Sequence, residues 1–124
     1  MIFKLTQPPP VFAAPLYNFC SALGCADGER PTAGLDLVGG QLYGTTFYGG
    51  IPVGGCGGAG CGTAFAFTLP AGPLATMNDF FGAPGDGSNP WGGVITDPAV
   101  PGFWYGTTLN GGAIGGFGVT YSIP

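Results

Sequence analysis

Apolar residues in this chain come in short bursts separated by glycine, proline and small polar residues, and no burst has helical spacing. Alternation is clearest in AFAFTLP, residues 64–70, where Phe65, Phe67 and Leu69 fall on one face of an extended strand. Reading the other bursts the same way predicts two sets of four strands. The first set is at about Leu16–Phe19, Gly34–Val38, Leu42–Thr46 and Thr63–Leu69; the second is at about Met77–Phe81, Gly93–Thr96, Phe103–Thr107 and Val119–Ile123. Gly39-Gly40 suits a two-residue hairpin turn, and Asp27-Gly28 and Asp86-Gly87 mark further turns. Glycine or proline interrupts every window long enough for a helix.

The two strand sets reflect a repeat. LYGTTFYGG, Leu42–Gly50, returns as WYGTTLNGG, Trp104–Gly112, at an offset of 62. Upstream, Asp27-Gly28, Pro31 and Gly34 return as Asp86-Gly87, Pro90 and Gly93 at an offset of 59, so the second copy has gained three residues between the echoes. A third echo links AFAFTLP to GVTYSIP, residues 118–124, and to IFKLTQP, residues 2–8. The predicted organisation is a terminal strand of a preceding repeat in residues 1–10, one repeat in 11–70 and another in 71–124. Four antiparallel strands per repeat is the size of a propeller blade, and a blade must stack on a neighbour to bury its core. The expected fold is therefore all-β: two four-stranded antiparallel propeller-like blades, one extra strand and glycine-rich loops. Gly44 and Gly106 lie inside strands, where glycine weakens pairing unless another backbone comes close. Crowding near a shared axis is the expected reason.

Composition narrows the function. Glycine numbers 27 and proline 13 of 124 residues, which alone would suggest disorder. The 14% of aromatic residues argues for a folded core instead. Only Lys4 and Arg30 are positive and the net charge is −4, so nucleic acid is not an expected partner, nor is an anionic membrane surface. No apolar run reaches the length of a membrane-spanning helix, and MIFKLTQPPP lacks the apolar stretch of a signal peptide. With no histidine, Ser-His and Cys-His catalysis are excluded.

Cys20, Cys25, Cys56 and Cys61 form two C-x4-C pairs, each inside a loop that the other repeat has in a shorter form without cysteines. A four-cysteine zinc site usually has C-x2-C spacing, so disulfides in an oxidising compartment are the better reading. Local bridges are the economical pairing; bridging between the loops is the alternative, since spacing does not fix connectivity.

The order of motifs resembles the Gloeo/Verruco (GloVer) tandem repeats of large bacterial extracellular proteins. The matching residues are Phe3-Lys4-Leu5-Thr6, Tyr17-Asn18-Phe19, Asp27-Gly28, Pro31, Gly34-Leu35, Leu42-Tyr43-Gly44-Thr45-Thr46, Gly49-Gly50 and Gly62-Thr63. The second copy departs in having Trp104 for Leu42 and GVTY for GTAF. The resemblance implies a propeller-like β-structure and a location at the bacterial cell surface, and it carries over no catalytic residue and no cofactor.

Each candidate site has a structural and a functional reading. Asp27 and Asp86 could ligate calcium or cap their own turns through local amides. Tyr43, Gly44, Thr45 and Thr46, with Tyr105, Gly106, Thr107 and Thr108, read as a packing motif; their hydroxyls could also face a sugar. Trp91 and Trp104 could stack on a glycan, or pack blade on blade. No carboxylate pair stands out for acid–base work. The expected function is therefore that of a non-enzymatic extracellular protein that self-assembles with copies of itself or with adjoining repeats, and needs no cofactor. Ile2, Phe3, Lys4, Leu5 and Thr6 are expected to form the assembly strand, because an unpaired copy of the last strand invites pairing. A glycan-binding, lectin-type module is the alternative.

Overall fold

The computed structural model describes residues 1–5, 15–52, 55–82 and 84–124. Thr6, and with it the end of the expected assembly strand, lies outside the described residues. Among the described residues there is no α-helix; one 3-10 turn, Leu23–Cys25, interrupts an all-β chain. A central sheet is a simple meander of β1 (Asp36–Val38), β2 (Gln41–Thr46), β3 (Thr63–Thr68) and β4 (Leu74–Asp79). A two-stranded ladder pairs β5 (Gly87–Ser88) with β8 (Asn110–Gly111). A three-stranded C-terminal sheet has the order β6 (Ile95–Thr96), β7 (Trp104–Thr107), β9 (Thr120–Ile123). Near the start of the chain, Ile2 and Tyr17 form an isolated antiparallel bridge. Gly39 and Gly40 turn β1 into β2 with φ of 58° and 78°, a backbone that glycine adopts without strain.

The expected pair of four-stranded blades is corrected. One sheet has four strands, the others fewer, and the sheets do not close into a propeller. The strand frame is shifted by one. The stretch predicted to open the second blade is β4, which pairs with β3 in the register Phe67 to Leu74 and Phe65 to Thr76. The cause is local. Pro70, Gly72 and Pro73 look like a linker, yet Gly72 N–H donates to Thr68 O at 2.7 Å and Thr68 N–H to Pro73 O at 3.1 Å, closing a tight hairpin. A turn that short leaves the next strand no neighbour except β3.

Successive layers stack face to face. On one side of the central sheet Phe65 and Phe67, with Leu42 and Leu74, pack against Ile2, Leu16, Tyr17 and Phe19. On the other side Ala64, Phe80 and Met77 pack against Trp104, Tyr121 and Ile123, and the Tyr43 and Trp104 rings lie 4.7 Å apart. The period-2 alternation of strands is what sends Leu42 and Tyr43 to opposite layers. Both joints use the same contact: Phe19 meets Phe65 at 4.9 Å between ring centroids, and Phe80 meets Tyr121 at 4.8 Å. Each buried ring contributes about 1.5–3 kcal/mol of apolar transfer. The second joint also encloses polar atoms with no partner among the described residues, Trp104 Nε1 and the Tyr121 hydroxyl. Burial pushes the Tyr121 phenol up to about 12.

Candidate functional site

The repeated motif is a structural tie. In the first copy Thr46 Oγ1 donates to Tyr48 O at 2.9 Å and accepts the Thr63 N–H at 3.1 Å. In the second, Thr108 Oγ1 donates to Asn110 O at 2.8 Å and accepts the Val119 N–H at 3.1 Å. Each tie anchors the end of the motif's strand to the start of the next strand. The Asp-Gly glycines fit beneath the same threonines: a Cβ built on Gly28 would stand 2.6 Å from the Thr46 side chain, and one on Gly87 2.5 Å from that of Thr108. Gly62 N–H donates to Gly49 O and Gly118 N–H to Gly111 O, at 3.1 and 3.0 Å. These equivalences match Gly62–Phe65 with Gly118–Tyr121. The echo of AFAFTLP in GVTYSIP, aligned on its prolines, is therefore displaced by two residues from the structural match.

The reason expected for Gly44 and Gly106 is corrected as well. They do not face a crowded backbone. Each lies beneath the aromatic ring of its cross-strand partner, Phe65 for Gly44 and Tyr121 for Gly106. Tyr43 is covered by Trp104, and Thr45 Oγ1 donates to Gly92 O at 2.9 Å. The matching Tyr105 and Thr107 lie on the face of the C-terminal sheet turned away from the central sheet, with Tyr105 half-buried and Thr107 exposed. A groove of about 280 Å³ runs over that face past Ile95, Tyr105, Thr107 and Thr120.

Asp27 is buried as a turn cap. It accepts the Tyr17 hydroxyl at 2.7 Å, the Ser21 hydroxyl at 2.8 Å, and the N–H groups of Ser21 and Ala22 at 3.1 Å each. Burial disfavours the Asp27 carboxylate, but these hydrogen bonds outweigh it and hold the pKa below the usual value. Asp86 accepts the N–H groups of Phe81 and Gly87. Among the described residues no group of three side chains could hold a metal, and the donors around Asp27 leave its oxygens engaged. Asp79 differs: one oxygen is buried with no partner among the described residues, and burial raises its pKa despite a backbone hydrogen bond from Ile51.

The cysteines pair locally, Cys20 with Cys25 and Cys56 with Cys61. Two bridges in so small a chain fit an oxidising environment. Cys61 is fully enclosed beside Ala64 and Phe80 in the second joint, whereas Cys20 lies at the surface.

Trp104 is a packing residue between layers. Trp91 is the exposed ring, 61% accessible, with its face at right angles to Phe47 at 5.5 Å. The Arg30 guanidinium lies 5.3 Å over the adjoining Tyr48 ring. Sequence reasoning missed Asn89, whose side chain donates to Phe47 O at 3.0 Å and whose N–H donates to Cys61 O at 2.7 Å, tying the layers together. The available signal was its offset of 59 from Arg30, since both adopt φ of 57°.

Two segments bear on strand pairing. Among the described residues β9 pairs with β7 alone, whereas its counterpart β3 carries β4 on the matching side. Val119 O accepts the Thr108 N–H, so by alternation the backbone groups of Thr120 and Ser122 point to the open edge. At the other end Ile2, 3% accessible, donates to Tyr17 O at 2.8 Å and accepts the Leu16 N–H at 2.7 Å. Met1, Phe3 and Leu5 are each more than half exposed. Beside Ile2 a cleft of about 300 Å³ opens over the central sheet, lined by Pro31, Ala33, Leu35 and Phe65.

Compared with known proteins, the chain matches no family model, no curated protein and no solved structure. No helix among the described residues is long and apolar enough to cross a membrane.

Proposed function

We propose that this chain is a non-enzymatic, extracellular structural protein of the bacterial cell surface that assembles through strand pairing, into a filament or a multi-layer array. The observation that carries the reading is the open edge of β9, where the equivalent edge of β3 holds a fourth strand. A row of free backbone donors and acceptors is a template for another strand. Three features support the reading: the layered stacking, the low charge of 6% and the resemblance to GloVer repeats. Sedimentation velocity and negative-stain microscopy over a range of concentrations test it. Growing species of defined width are expected; a chain that stays monomeric at every concentration overturns it.

The exposed Trp91 beside Phe47 favours a second reading, glycan binding. Aromatic rings present flat apolar faces that suit sugar stacking. A glycan array and a fluorescence titration decide it: saturable binding lost in Trp91→Ala, in a chain that stays monomeric, supports the lectin. Trp104→Ala is a poor test, because that ring packs on Tyr43.

A further inference from the structure

The first layer and the C-terminal sheet are complementary in the strands they hold. The first layer contains counterparts of β3 and β4: the equivalence of IFKL with AFAF matches Ile2 with Ala64, so Tyr17, the partner of Ile2, matches Asn78, the partner of Ala64. That layer has no counterparts of β1 and β2 among the described residues. The C-terminal sheet is the reverse, with counterparts of β1, β2 and β3 and none of β4. Thr120 of β9 occupies the Ala64 position, and Ile2 occupies it in the first layer.

We infer that the Leu16–Phe19 segment of one copy exchanges partners, leaving its own residues 1–5 and pairing with β9 of a second copy. The proposal rests on the assembly reading above and names its edge, register and partner. In the exchanged state Thr120 of the second copy stands opposite Tyr17, where Ile2 stood. Leu16 and Phe19 keep their places on Phe65 and Phe67. Behind Thr120, β7 of the second copy enters the cleft beside Ile2.

The joint between the central and C-terminal sheets supplies the template. There Thr45 donates to Gly92 O; in the exchanged joint Thr107 is its counterpart, and the 59-residue offset puts Ala33, a wall of that cleft, in the place of Gly92. Tyr105 likewise takes the part of Tyr43, facing Leu42 where Tyr43 faces Trp104. Residues 1–5 are thus a placeholder: a short bridged segment with one buried side chain, Ile2, stands in for a three-stranded sheet. The contact joins two different surfaces, so it does not close on a pair, and repetition yields a linear array.

Two substitutions separate the edge from the placeholder. Ser122→Pro removes an outward N–H from β9, a change that an edge position tolerates. Ile2→Asp puts a charge in the placeholder's only buried side chain, and Ile2→Ala weakens it more gently in case the aspartate unfolds the layer. Far-UV circular dichroism verifies folding, and sedimentation velocity at matched concentrations reads assembly. A several-fold larger assembled fraction is expected for Ile2→Asp or Ile2→Ala, with monomers for Ser122→Pro alone and in combination. If Ser122→Pro assembles like the parent, assembly stands but the exchange at β9 is overturned. Loss of assembly in both folded Ile2 variants also overturns the exchange and returns residues 2–6 to the role of assembly strand. If parent and Ile2 variants are all monomeric, both readings fall.

Discussion

The two copies of the nonapeptide make the same tie in different surroundings. Around Thr46 the strand is covered on both faces: Leu42 meets the first layer and Tyr43 meets Trp104. Around Thr108 only the Trp104 face is covered, and Thr107 is exposed. The first copy also carries a disulfide-bridged loop between its strands, while the second closes its loop without one. The threonine and glycine contacts survive both differences. The motif therefore secures the hairpin inside a layer, and the residues that alternate with it secure one layer to the next.

The sharpest way to break this comparison is at Gly62 and Gly118. Both have left-handed backbones, with φ of 98° and 95°, and a Cβ at either would collide with the carbonyl oxygen of its threonine, Thr46 or Thr108. A backbone atom in a tied strand cannot move aside as a side-chain tip can. Alanine at either position should cost about 2–5 kcal/mol, combining backbone strain with overpacking. Gly62→Ala should be the worse, since the central sheet supports both joints. Chemical denaturation of the two variants against Gly34→Ala, whose Cβ meets nothing, checks the ranking. Equal stability of all three would show that the tie is not a shared structural element.

Gly44 and Gly106 sharpen the comparison by separating the two environments. A Cβ on Gly44 would stand 2.7 Å from the Phe65 ring and 2.8 Å from Leu35. On Gly106 it would stand 2.6 Å from the Tyr121 ring, which is held in the joint against Phe80. Gly44→Val and Gly106→Val should each cost about 1–3 kcal/mol by overpacking, with Gly44→Val the worse because its Cβ meets Leu35 as well as a ring. Thermal melts check the order. A loop glycine such as Gly58 is an unsuitable reference, since its φ of 86° strains any replacement even in open space. A Gly106→Val variant that melts below Gly44→Val would mean that Tyr121, held against Phe80, yields less than Phe65 and Leu35 together.

Much of this architecture is legible in the sequence, and the misses have physical causes. Phe65 and Phe67 on one face, the Gly39-Gly40 turn and the all-β class follow from alternation and turn chemistry, which act over a few residues. The strand frame does not follow. Repeats in sequence can be cut at any phase, and only the hairpin at Pro70–Pro73 reveals that β4 belongs with β3. The role of Gly44 was half visible: close approach was expected, but a ring lying across the sheet from Phe65 depends on pairing register, which no single strand encodes. For the candidate site, the echo of IFKL marked a strand for pairing, yet the edge that lacks its fourth strand among the described residues is that of β9, visible only once pairing is known.

The smallest expected difference lies between Asp27 and Asp86, the turn caps of the two copies. Asp27 accepts four hydrogen bonds and Asp86 two. For Asp27, burial alone would raise the pKa; the bonds from Tyr17, Ser21 and Ala22 more than offset it and leave it lowered. A carboxylate with a lowered folded-state pKa stabilises the fold above its unfolded value, and that contribution is lost as pH falls through the folded value. Asp27→Asn keeps one acceptor oxygen but presents an amide to neighbouring N–H donors, so it should cost about 1 kcal/mol near neutrality. Asp86→Asn should cost less. Melting temperatures of the three chains, taken from neutral pH into acid, should converge as Asp27 of the parent protonates. If the gap between parent and Asp27→Asn stays constant at every pH, the charge is not what Asp27 contributes, and the two caps differ only in the length of the loops they close.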